Sequence, residues 1–398
     1  MSPIDFFRSG ITITLPLLLT LVACDKNSTE PEPSTRVVID NNAGSYNDRI
    51  TYYDDLSLEI TPLDSTLHTL YKSSNNDTVI LKLRASIQPP EIGGQLLHCN
   101  HVTLNGNLAY VSFHTPEDQY RGAIYVVDIS NTRKPAIVSV GTFMDTDITI
   151  AIRQDQTLYV GEATDIDKNK QFASPAVLEK IKLDKGLLTS DIQRVDINSF
   201  NCNDIVIHGD VLYATSGTTG GGLSVLNSSD LSVQQFIELD AAKACGIYGN
   251  EIVVLEGTGT TLHCYDRTSF APTRSIDLGY PNNYQAKAEI DIQGHQLFLS
   301  AWEAGMKVVD MRSGIKTDCI VVDNNGHCNG VSVDGNLAFM ANGSEGVYVV
   351  RVINDKLSIL GRIMLEASAN FVETRGNILF VATGEQGFLV IEIAQNGR

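Results

Sequence analysis

The chain has 398 residues, of which 43% are hydrophobic. This composition is sufficient for a large core and unlike that of a disordered protein. The formal net charge of −18 repels polyanions, so no nucleic acid is expected as a partner.

The first 24 residues have the pattern of a targeting sequence. Arg8 supplies a basic residue, residues 11–22 form an apolar core, and Leu21-Val22-Ala23-Cys24 closes the segment. The apolar run is shorter than a membrane span requires. The tetrapeptide resembles the lipobox of bacterial lipoproteins, which implies cleavage before Cys24 and lipid attachment to it. We therefore predict a lipoprotein signal peptide over residues 1–23. The alternative is an ordinary secretory signal with an incidental cysteine.

Residues 24–76 are predicted to be an acidic tether. The segment is polar, and its residues 28–35 read Ser-Thr-Glu-Pro-Glu-Pro-Ser-Thr. Such a composition remains solvated and holds a domain away from a membrane surface. Apolar residues around Val37 and Leu56 allow short strands, so partial order is compatible with this prediction.

Residues 77–398 are predicted to be all-β, because short β-branched and aromatic runs alternate with Gly, Asn and Asp. The run GNLAFMANGSEGVYVVRV begins at Gly335, and the similar run GNILFVATGEQGFLVIEI begins 41 residues later at Gly376. A fixed period of this size indicates stacked supersecondary units. The expected turn between the first two strands of a unit occurs seven times, at Gly106, Asp155, Gly209, Gly249, Gly294, Gly335 and Gly376.

A second glycine precedes an apolar run that often ends in an acid. Examples are Gly122-Ala-Ile-Tyr-Val-Val-Asp128, Gly305-Met-Lys-Val-Val-Asp310 and Gly387-Phe-Leu-Val-Ile-Glu392. These runs resemble the LVIVD repeat of bacterial and archaeal surface proteins, which implies a β-propeller. The last unit has room for three strands only, and residues 78–87 precede the first unit without a partner. We therefore predict a seven-bladed β-propeller closed by an N-terminal strand, which removes exposed sheet edges.

Long loops and exposed aromatic residues on such a scaffold are expected to form a binding face. The loops between second and third strands are long at residues 114–121 and 165–174, and the only tryptophan falls in the corresponding turn of the fifth unit. The alternative is that loop length is merely tolerated and that the tryptophan packs on a neighbouring blade. The predicted binding face consists of His114, Glu117, Asp118, Tyr120, Asp165, Asp167, Tyr284 and Trp302.

A Cys-Asn pair recurs where the chain enters the first strand of units one, three and six. Histidine, thiolate and carboxylate groups around one channel mouth can bind zinc or copper. Repeat duplication, with asparagine satisfying strand ends, explains the same pattern without a metal. We predict no metal site, and the residues that would form one are His98, Cys99, His101, Cys202, Asp204, His327 and Cys328.

Six cysteines remain after Cys24. An even number in an exported protein permits disulfides, but Cys245 and Cys264 lie in apolar runs, where buried free thiols are the alternative.

Catalytic motifs are missing from the sequence: it contains no Gly-x-Ser-x-Gly elbow, P-loop or metalloprotease helix motif. Acids at the ends of third strands, such as Asp128, Asp310 and Glu392, suit turns, and glycosidase chemistry by paired carboxylates is the alternative. The leading hypothesis is a non-enzymatic, lipid-anchored binding or scaffold module without a cofactor, which serves an envelope protein or an extracellular ligand. The rival hypothesis is a hydrolase or metal-dependent enzyme with its site at the channel mouth.

Overall fold

A computed structural model describes residues 36–62, 79–116, 119–257, 261–279, 286–321 and 326–395. The chain divides into the units Met1–Thr35 and Arg36–Arg398. The predicted signal peptide and its Cys24 therefore lie outside the described residues. Within the described ranges, no helix is both long enough and apolar enough to cross a bilayer.

The N-terminal part of the folded unit consists of short elements. These are β1 (Val37–Asp40), a 3₁₀ helix (Ala43–Arg49), β2 (Ile50–Leu58), β3 (Val79–Ile87) and a small ribbon of β4 (Glu91–Ile92) and β5 (Gln95–Leu96).

Seven antiparallel sheets then follow one another along the chain and form the blades. Blade 1 contains β6 (His98–Asn105), β7 (Leu108–His114), β8 (Gly122–Asp128) and β9 (Ala136–Phe143). Blade 2 contains β10 (Thr146–Gln154), β11 (Thr157–Thr164), β12 (Ala176–Asp184) and β13 (Leu187–Asp196). Blade 3 contains β14 (Asn201–His208), β15 (Val211–Gly217), β16 (Gly222–Asn227) and β17 (Val233–Glu238).

The remaining blades repeat this arrangement. Blade 4 contains β18 (Ala242–Tyr248), β19 (Glu251–Glu256), β20 (Thr261–Asp266) and β21 (Pro272–Asp277). Blade 5 contains β22 (Ile290–Gln293), β23 (Gln296–Ser300), β24 (Met306–Asp310) and β25 (Ile315–Ile320). Blade 6 contains β26 (Gly330–Asp334), β27 (Leu337–Ala341), β28 (Val347–Ile353) and β29 (Lys356–Ile363). Blade 7 contains β30 (Phe371–Arg375), β31 (Ile378–Thr383) and β32 (Gly387–Gln395).

The predicted closure by an N-terminal strand is confirmed. β3 pairs with β32 in antiparallel register from Val79↔Gln395 to Ile87↔Phe388 and completes blade 7. β2 adds a fifth strand to the same blade, and β1 adds a fifth strand to β9 of blade 1. The predicted apolar spots at Val37 and Leu56 are thus parts of β1 and β2, and residues 36–58 join the two blades that meet at the ring closure.

The turn positions of the seven repeats share one backbone conformation. The six glycines at this position have φ between +57° and +63°, and Asp155 takes φ +53° in blade 2. Two-residue hairpins require this left-handed conformation, which glycine adopts without steric cost and Asp tolerates. The repeat period therefore follows from backbone geometry.

In blades 5 and 6 the glycine that opens the third strand is required by close packing. A Cβ atom on Gly305 would overlap the carbonyl oxygen of Ile320, and one on Gly346 would overlap that of Ile363. In both blades the third strand therefore approaches the fourth too closely for any side chain.

The hydrophobic core lies between blades rather than at the centre of the ring. One cluster joins Phe298 of blade 5 to Met340 and Tyr348 of blade 6, and the other neighbouring blades pack in the same way. The first strands of successive blades contact one another around the ring, and β30 contacts β6 where it closes. Each blade thus buries both faces, and its first strand lines the central channel.

Candidate functional site

Of the predicted binding face, Tyr120, Asp165, Asp167 and Trp302 lie in turns between second and third strands, and His114 ends the second strand of blade 1. Antiparallel topology places these turns on the same face as the connections that lead into the first strands. His114, Tyr120, Asp165, Asp167 and Trp302 belong to the described residues. Glu117, Asp118 and Tyr284 lie outside them. We call this side of the ring the loop face.

The long loop of blade 1 is anchored by Asp147 of β10. Its carboxylate accepts hydrogen bonds from the Thr115 backbone N–H at 3.2 Å, the Thr115 hydroxyl at 3.0 Å and the Arg121 backbone N–H at 3.1 Å. Burial raises the pKa of Asp147 to about 6, although these hydrogen bonds oppose the shift. Both ends of the loop are therefore fixed to blade 2.

The long loop of blade 2 is anchored by a buried ionic network. Asn169 of the loop donates to Asp145 at 2.7 Å and accepts from Arg194 at 2.9 Å. Arg194 contacts Glu162 at 2.9 Å and Glu179 at 3.1 Å, and both carboxylates are fully buried. Arg36, which precedes β1, contacts Glu179 at 2.7 Å and Asp145 at 3.7 Å. We call Arg36, Asp145, Glu162, Glu179 and Arg194 the blade-2 network.

The blade-2 network contains three carboxyl groups and two guanidinium groups. One carboxyl is therefore left without its own cation, and burial together with neighbouring Glu179 raises the pKa of Glu162 to about 8 despite the arginines. Asp165 directly follows β11, and the exposed Asp167 pairs with Lys170. The loop is thus held to buried structure through Asn169, while its residues 166–168, 170, 171 and 173 are exposed.

Trp302 occupies an unusual backbone position on the loop face. Its φ is +50°, whereas Gly343 and Gly384, which follow at successive 41-residue steps in blades 6 and 7, have φ +60° and +46°. All three form a backbone bridge to the start of the next blade, at Cys328, Ala369 and Cys99. The left-handed conformation costs a residue other than glycine roughly 1–2 kcal/mol. Tryptophan is therefore present at a position where two neighbouring blades have glycine.

The Trp302 ring packs on the neighbouring blade and remains half-exposed. It stacks on His327 with ring centroids 4.0 Å apart and planes 21° apart. Glu303 lies 3.9 Å from His327 Nε2. We call Trp302, Glu303 and His327 the aromatic platform.

His98 forms a related arrangement in the connection from blade 7 to blade 1. Its Nε2 lies 3.4 Å from Glu385, which follows Gly384 as Glu303 follows Trp302. Its ring lies edge-on to His114 with centroids 6.5 Å apart. Burial lowers the pKa of His114 to about 3, with smaller contributions from Lys287 and His98, so this imidazole is neutral at physiological pH.

The repeated Cys-Asn pair links neighbouring blades. Asn100 donates to the carbonyl of Ile148 at 2.9 Å, Asn329 to that of Ala369 at 3.0 Å and Asn370 to that of Cys99 at 2.9 Å. Asn203 makes the same contact with Ala242 at 2.7 Å. Each bond joins one blade to the next, which is the strand-end role that repeat duplication predicts.

The cysteines of these pairs are buried in separate blades. Cys99, Cys202 and Cys328 are free thiols with no solvent exposure. Cys245 and Cys264 are also free and buried, whereas Cys319 is exposed. His101 packs on Phe371 at 3.8 Å, and Asp204 accepts from the backbone N–H groups of Ile205 and Cys245. Across the described ranges, no group of three or more His, Cys, Asp and Glu side chains is placed to hold a metal ion.

A polar cavity of about 230 Å³ opens between the starts of the first strands of blades 1 to 5. We call it the channel-mouth cavity. Sequence reasoning missed three of the ionisable groups that line it. Its polar and charged lining residues are Asn100, His101, Thr149, Asn201, Asn203, Lys243, Lys287 and Glu289.

A signal for one of these residues was present in the repeat. The position six residues before the turn is Asn in blades 1, 3, 6 and 7, Thr149 in blade 2, Lys243 in blade 4 and Ala288 in blade 5. Among the seven residues at this position, Lys243 is the only one with a charged side chain. Burial lowers the pKa of Lys243 to about 8. It also raises the pKa of Glu289, an effect that Asp204 increases and Lys287 opposes.

A larger cavity of about 750 Å³ lies on the outside of blade 7, between β2, β3 and residues 364–367. Leu56, Leu96 and Met364 are exposed at its wall. Glu385, which contacts His98 at the start of β6, also lines this groove. The channel-mouth cavity carries the greater concentration of buried ionisable groups.

These observations define the chain as a seven-bladed β-propeller, an architecture that is consistent with a binding or scaffold module. No family model matches the chain, and no curated protein matches it. Among solved structures, a chain of the mitotic checkpoint complex is similar with a TM-score of 0.57 at 12% identity, covering 86% of this chain and 98% of that chain. The computationally designed Ika8 protein has the same identity and coverage with a TM-score of 0.48. At this identity the likeness to the checkpoint chain concerns the fold alone.

Proposed function

We propose that this chain is a lipid-anchored propeller of the bacterial cell envelope. It acts as a non-enzymatic binding or scaffold module for an envelope protein or an extracellular ligand. The lipobox-like residues 21–24 and the resemblance to LVIVD surface proteins support this location. Cys24 is the proposed anchor, and the acidic residues that follow it are the proposed spacer between membrane and ring.

The observation that carries the binding role is the backbone of Trp302. Residues held in a sparsely populated conformation persist only where the surrounding structure imposes it, and they are concentrated at functional sites. Trp302 is one of nine described residues other than glycine with positive φ. Glycine at the equivalent positions of blades 6 and 7 indicates that the fold does not require a side chain there. Tryptophan is also among the residue types enriched at binding hot spots, and Trp302 is partly exposed.

The charges around the aromatic platform suggest the chemistry of the partner. Glu303 and Glu385 are 79% and 69% exposed and lie on the loop face beside His327 and His98. The whole chain is strongly acidic. A partner surface with basic side chains around an apolar contact is therefore complementary to this face.

The binding role is tested by affinity capture from detergent-solubilised membranes. Trp302→Gly introduces the residue that blades 6 and 7 have at this position. The variant therefore removes the indole side chain, and glycine adopts the left-handed backbone conformation without strain. The control is Ile315→Ser, because Ile315 is 62% exposed at the opposite end of the same blade. We expect the wild type and Ile315→Ser to enrich the same partner and Trp302→Gly to lose it. Unchanged enrichment by Trp302→Gly, or no partner enriched by the wild type, would contradict the proposal.

The anchor is tested separately by metabolic labelling with a palmitate analogue. We expect the wild type to incorporate the label and to sediment with membranes, and Cys24→Ser to do neither. Membrane association without label would argue for another mode of attachment.

A further inference from the structure

Blade 7 is one strand wider than blade 6, on which it packs. The sheet of blade 7 has five strands, because β2 lies outside β3, whereas the sheet of blade 6 has four and ends at β29. The apolar face of a sheet has to be covered by another element. Blade 6 does not have a fifth strand that could cover the face of β2.

The residues that follow β2 cover part of this face. Thr61 and Arg362 of β29 exchange two backbone hydrogen bonds of 2.8 and 2.9 Å. Ile60 packs so closely on β29 that a Cβ atom on Gly361 would lie 2.6 Å from its side chain. The part that stays uncovered is the cavity of about 750 Å³ between β2, β3 and residues 364–367. We call it the blade-7 groove.

The blade-7 groove exposes large apolar side chains. Leu56, Leu96 and Met364 at its wall are 44%, 42% and 51% exposed. Apolar residues that are exposed together mark interaction sites, whereas single ones are common on any surface. The volume also lies within the roughly 300–1,000 Å³ that is typical of pockets that enclose a ligand.

The charges that line the groove are mainly negative. Glu91, Glu366 and Glu385 contribute three carboxyl groups, and Arg49 contributes the single guanidinium group. Arg49 Nη1 donates to the carbonyl oxygen of Pro89 at 2.8 Å. Glu91 and Glu366 are exposed, and neither forms a salt bridge within the part of the chain that the structure describes.

The basic residues next to the lining have partners of their own. Arg362 pairs with Glu345, and Arg121 donates to the carbonyl oxygen of Ile92 at 2.9 Å. His98 lies 3.4 Å from Glu385 and is charged only when protonated. The exposed carboxylates of the groove are therefore available to a cation from outside.

One buried acceptor of the groove also lacks a donor. Gln386 lines the groove, and its Oε1 is buried without a hydrogen-bond partner among the described residues. A buried acceptor that is not hydrogen-bonded costs free energy. An N–H group of a bound molecule would remove this cost.

We propose that the blade-7 groove binds a segment of the partner protein in which Lys or Arg stands beside large apolar residues. The apolar side chains pack on Leu56, Leu96 and Met364, the basic side chain pairs with the groove carboxylates, and an N–H group donates to Gln386. This inference rests on the proposed binding function. Glu385 belongs to the turn between the second and third strands of blade 7, so the groove is continuous with the loop face.

Photo-cross-linking in intact cells tests this proposal. A photo-reactive amino acid replaces Met364 in the groove or Ile353, the last residue of β28, and each of these residues is 51% exposed. A third strain carries it at Trp302 and reports on the proposed function. We expect positions 364 and 302 to cross-link the same protein, and position 353 none. Mass spectrometry should locate the cross-link from position 364 in a basic and apolar segment.

The outcomes separate the groove from the proposed function. A partner from position 302 with no cross-link from position 364, or equal yields from positions 364 and 353, refutes the groove site alone. No partner from either position 302 or position 364 contradicts both proposals. A lipid or small-molecule adduct at position 364 in place of a protein also overturns the groove proposal.

Charge reversal tests the chemistry of the segment. Glu91→Lys combined with Glu366→Lys should lower the cross-linking yield from position 364 at least about tenfold, because like charges then meet. The matched control combines Asp184→Lys with Glu238→Lys, at exposed carboxyls of blades 2 and 3, and should leave the yield unchanged. All four residues are exposed, so the melting temperatures should equal that of the wild type.

A milder variant keeps the test decisive if the charge-reversed protein does not fold. Glu91→Gln combined with Glu366→Gln removes both charges and should lower the yield at least about threefold. An unchanged yield in a folded groove variant, or an equal loss in the matched control, overturns the proposal.

Discussion

Replacing Arg194 by leucine should strongly destabilise the propeller. The Arg194 side chain is 9% exposed and pairs with Glu162 and Glu179, neither of which has any solvent exposure. Arg194 also donates to Asn169 of the long loop and to the Thr164 hydroxyl, each at 2.9 Å. Arg194→Leu leaves three carboxyl groups in the blade-2 network with Arg36 as their single cation.

The expected loss of stability follows from this imbalance. Removing one partner of a buried ion pair typically costs about 3–5 kcal/mol, because the other charge stays buried without compensation. The matched control is Arg133→Leu. Arg133 is 63% exposed and lies 3.2 Å from Glu392, which also keeps its 2.9 Å contact with Arg84. An exposed pair of this kind contributes about 0–1 kcal/mol.

Urea unfolding monitored by fluorescence and by circular dichroism measures both effects. We expect Arg194→Leu to lower the free energy of unfolding by about 3–5 kcal/mol and Arg133→Leu by less than about 1 kcal/mol. The double variant Arg194→Leu, Glu162→Leu should recover part of the loss, since it removes one buried carboxyl group together with the guanidinium. Equal effects of the two single variants would refute the view that the blade-2 network is buried and coupled.

Three further predictions concern other features. Burial raises the pKa of Glu162 from its ordinary value of 4.5 to about 8 in the folded protein. The protonation of Glu162 therefore stabilises the folded state at low pH, and this stabilisation is lost as the pH rises from about 4.5 to 8. Glu162→Gln should therefore gain stability relative to the wild type over that window in urea titrations, and a constant difference would contradict the shift. Trp302→Gly should change the free energy of unfolding by less than about 1 kcal/mol. Relief of the left-handed backbone strain offsets both the lost stacking on His327 and the greater unfolded-state entropy of glycine. A loss of stability above about 3 kcal/mol would show that the indole side chain is part of the hydrophobic core. Among the six cysteines after Cys24, the exposed Cys319 should react rapidly with a thiol reagent, whereas the five buried cysteines should react only when the protein unfolds. Rapid reaction of a second thiol in the folded protein would contradict the burial of these five cysteines.

The sequence was sufficient to predict the ring. The turn residues and the 41-residue period reflect one backbone requirement, φ near +60°, which shows directly in residue identity at positions such as Gly335 and Gly376. The closure was predictable for a related reason, because the last unit lacked a strand and residues 78–87 lacked a partner. Turn geometry and strand pairing could therefore be recognised from the sequence.

The channel-mouth cavity was harder to predict because its residues come from five blades. Lys243 replaces the asparagine of the repeat, so the Cys-Asn pair of blades 1, 3 and 6 is missing from blade 4, where the charge appears. Lys287 and Glu289 gain their significance only from burial next to residues far away in the chain. Periodicity identifies equivalent positions but does not show what they enclose.

The long loop of blade 2 illustrates a second limit. Its length suggested a binding role, but loop length does not show that Asn169 is buried or that Arg194 and Asp145 hold it. Arg194 comes from β13, the last strand of the blade, and Asp145 from the connection that precedes β10. The binding role of Asp165 and Asp167 stays a prediction.

Site-specific photo-cross-linking in intact cells tests the central claim, that the loop face around the aromatic platform is where the propeller meets its partner. A photo-reactive amino acid replaces Trp302 in one strain and Ile315 in another, and cross-linked products are identified by mass spectrometry. We predict a discrete cross-linked partner from position 302 and none from position 315. Cross-links of equal yield from both positions, or from position 315 alone, would contradict the claim.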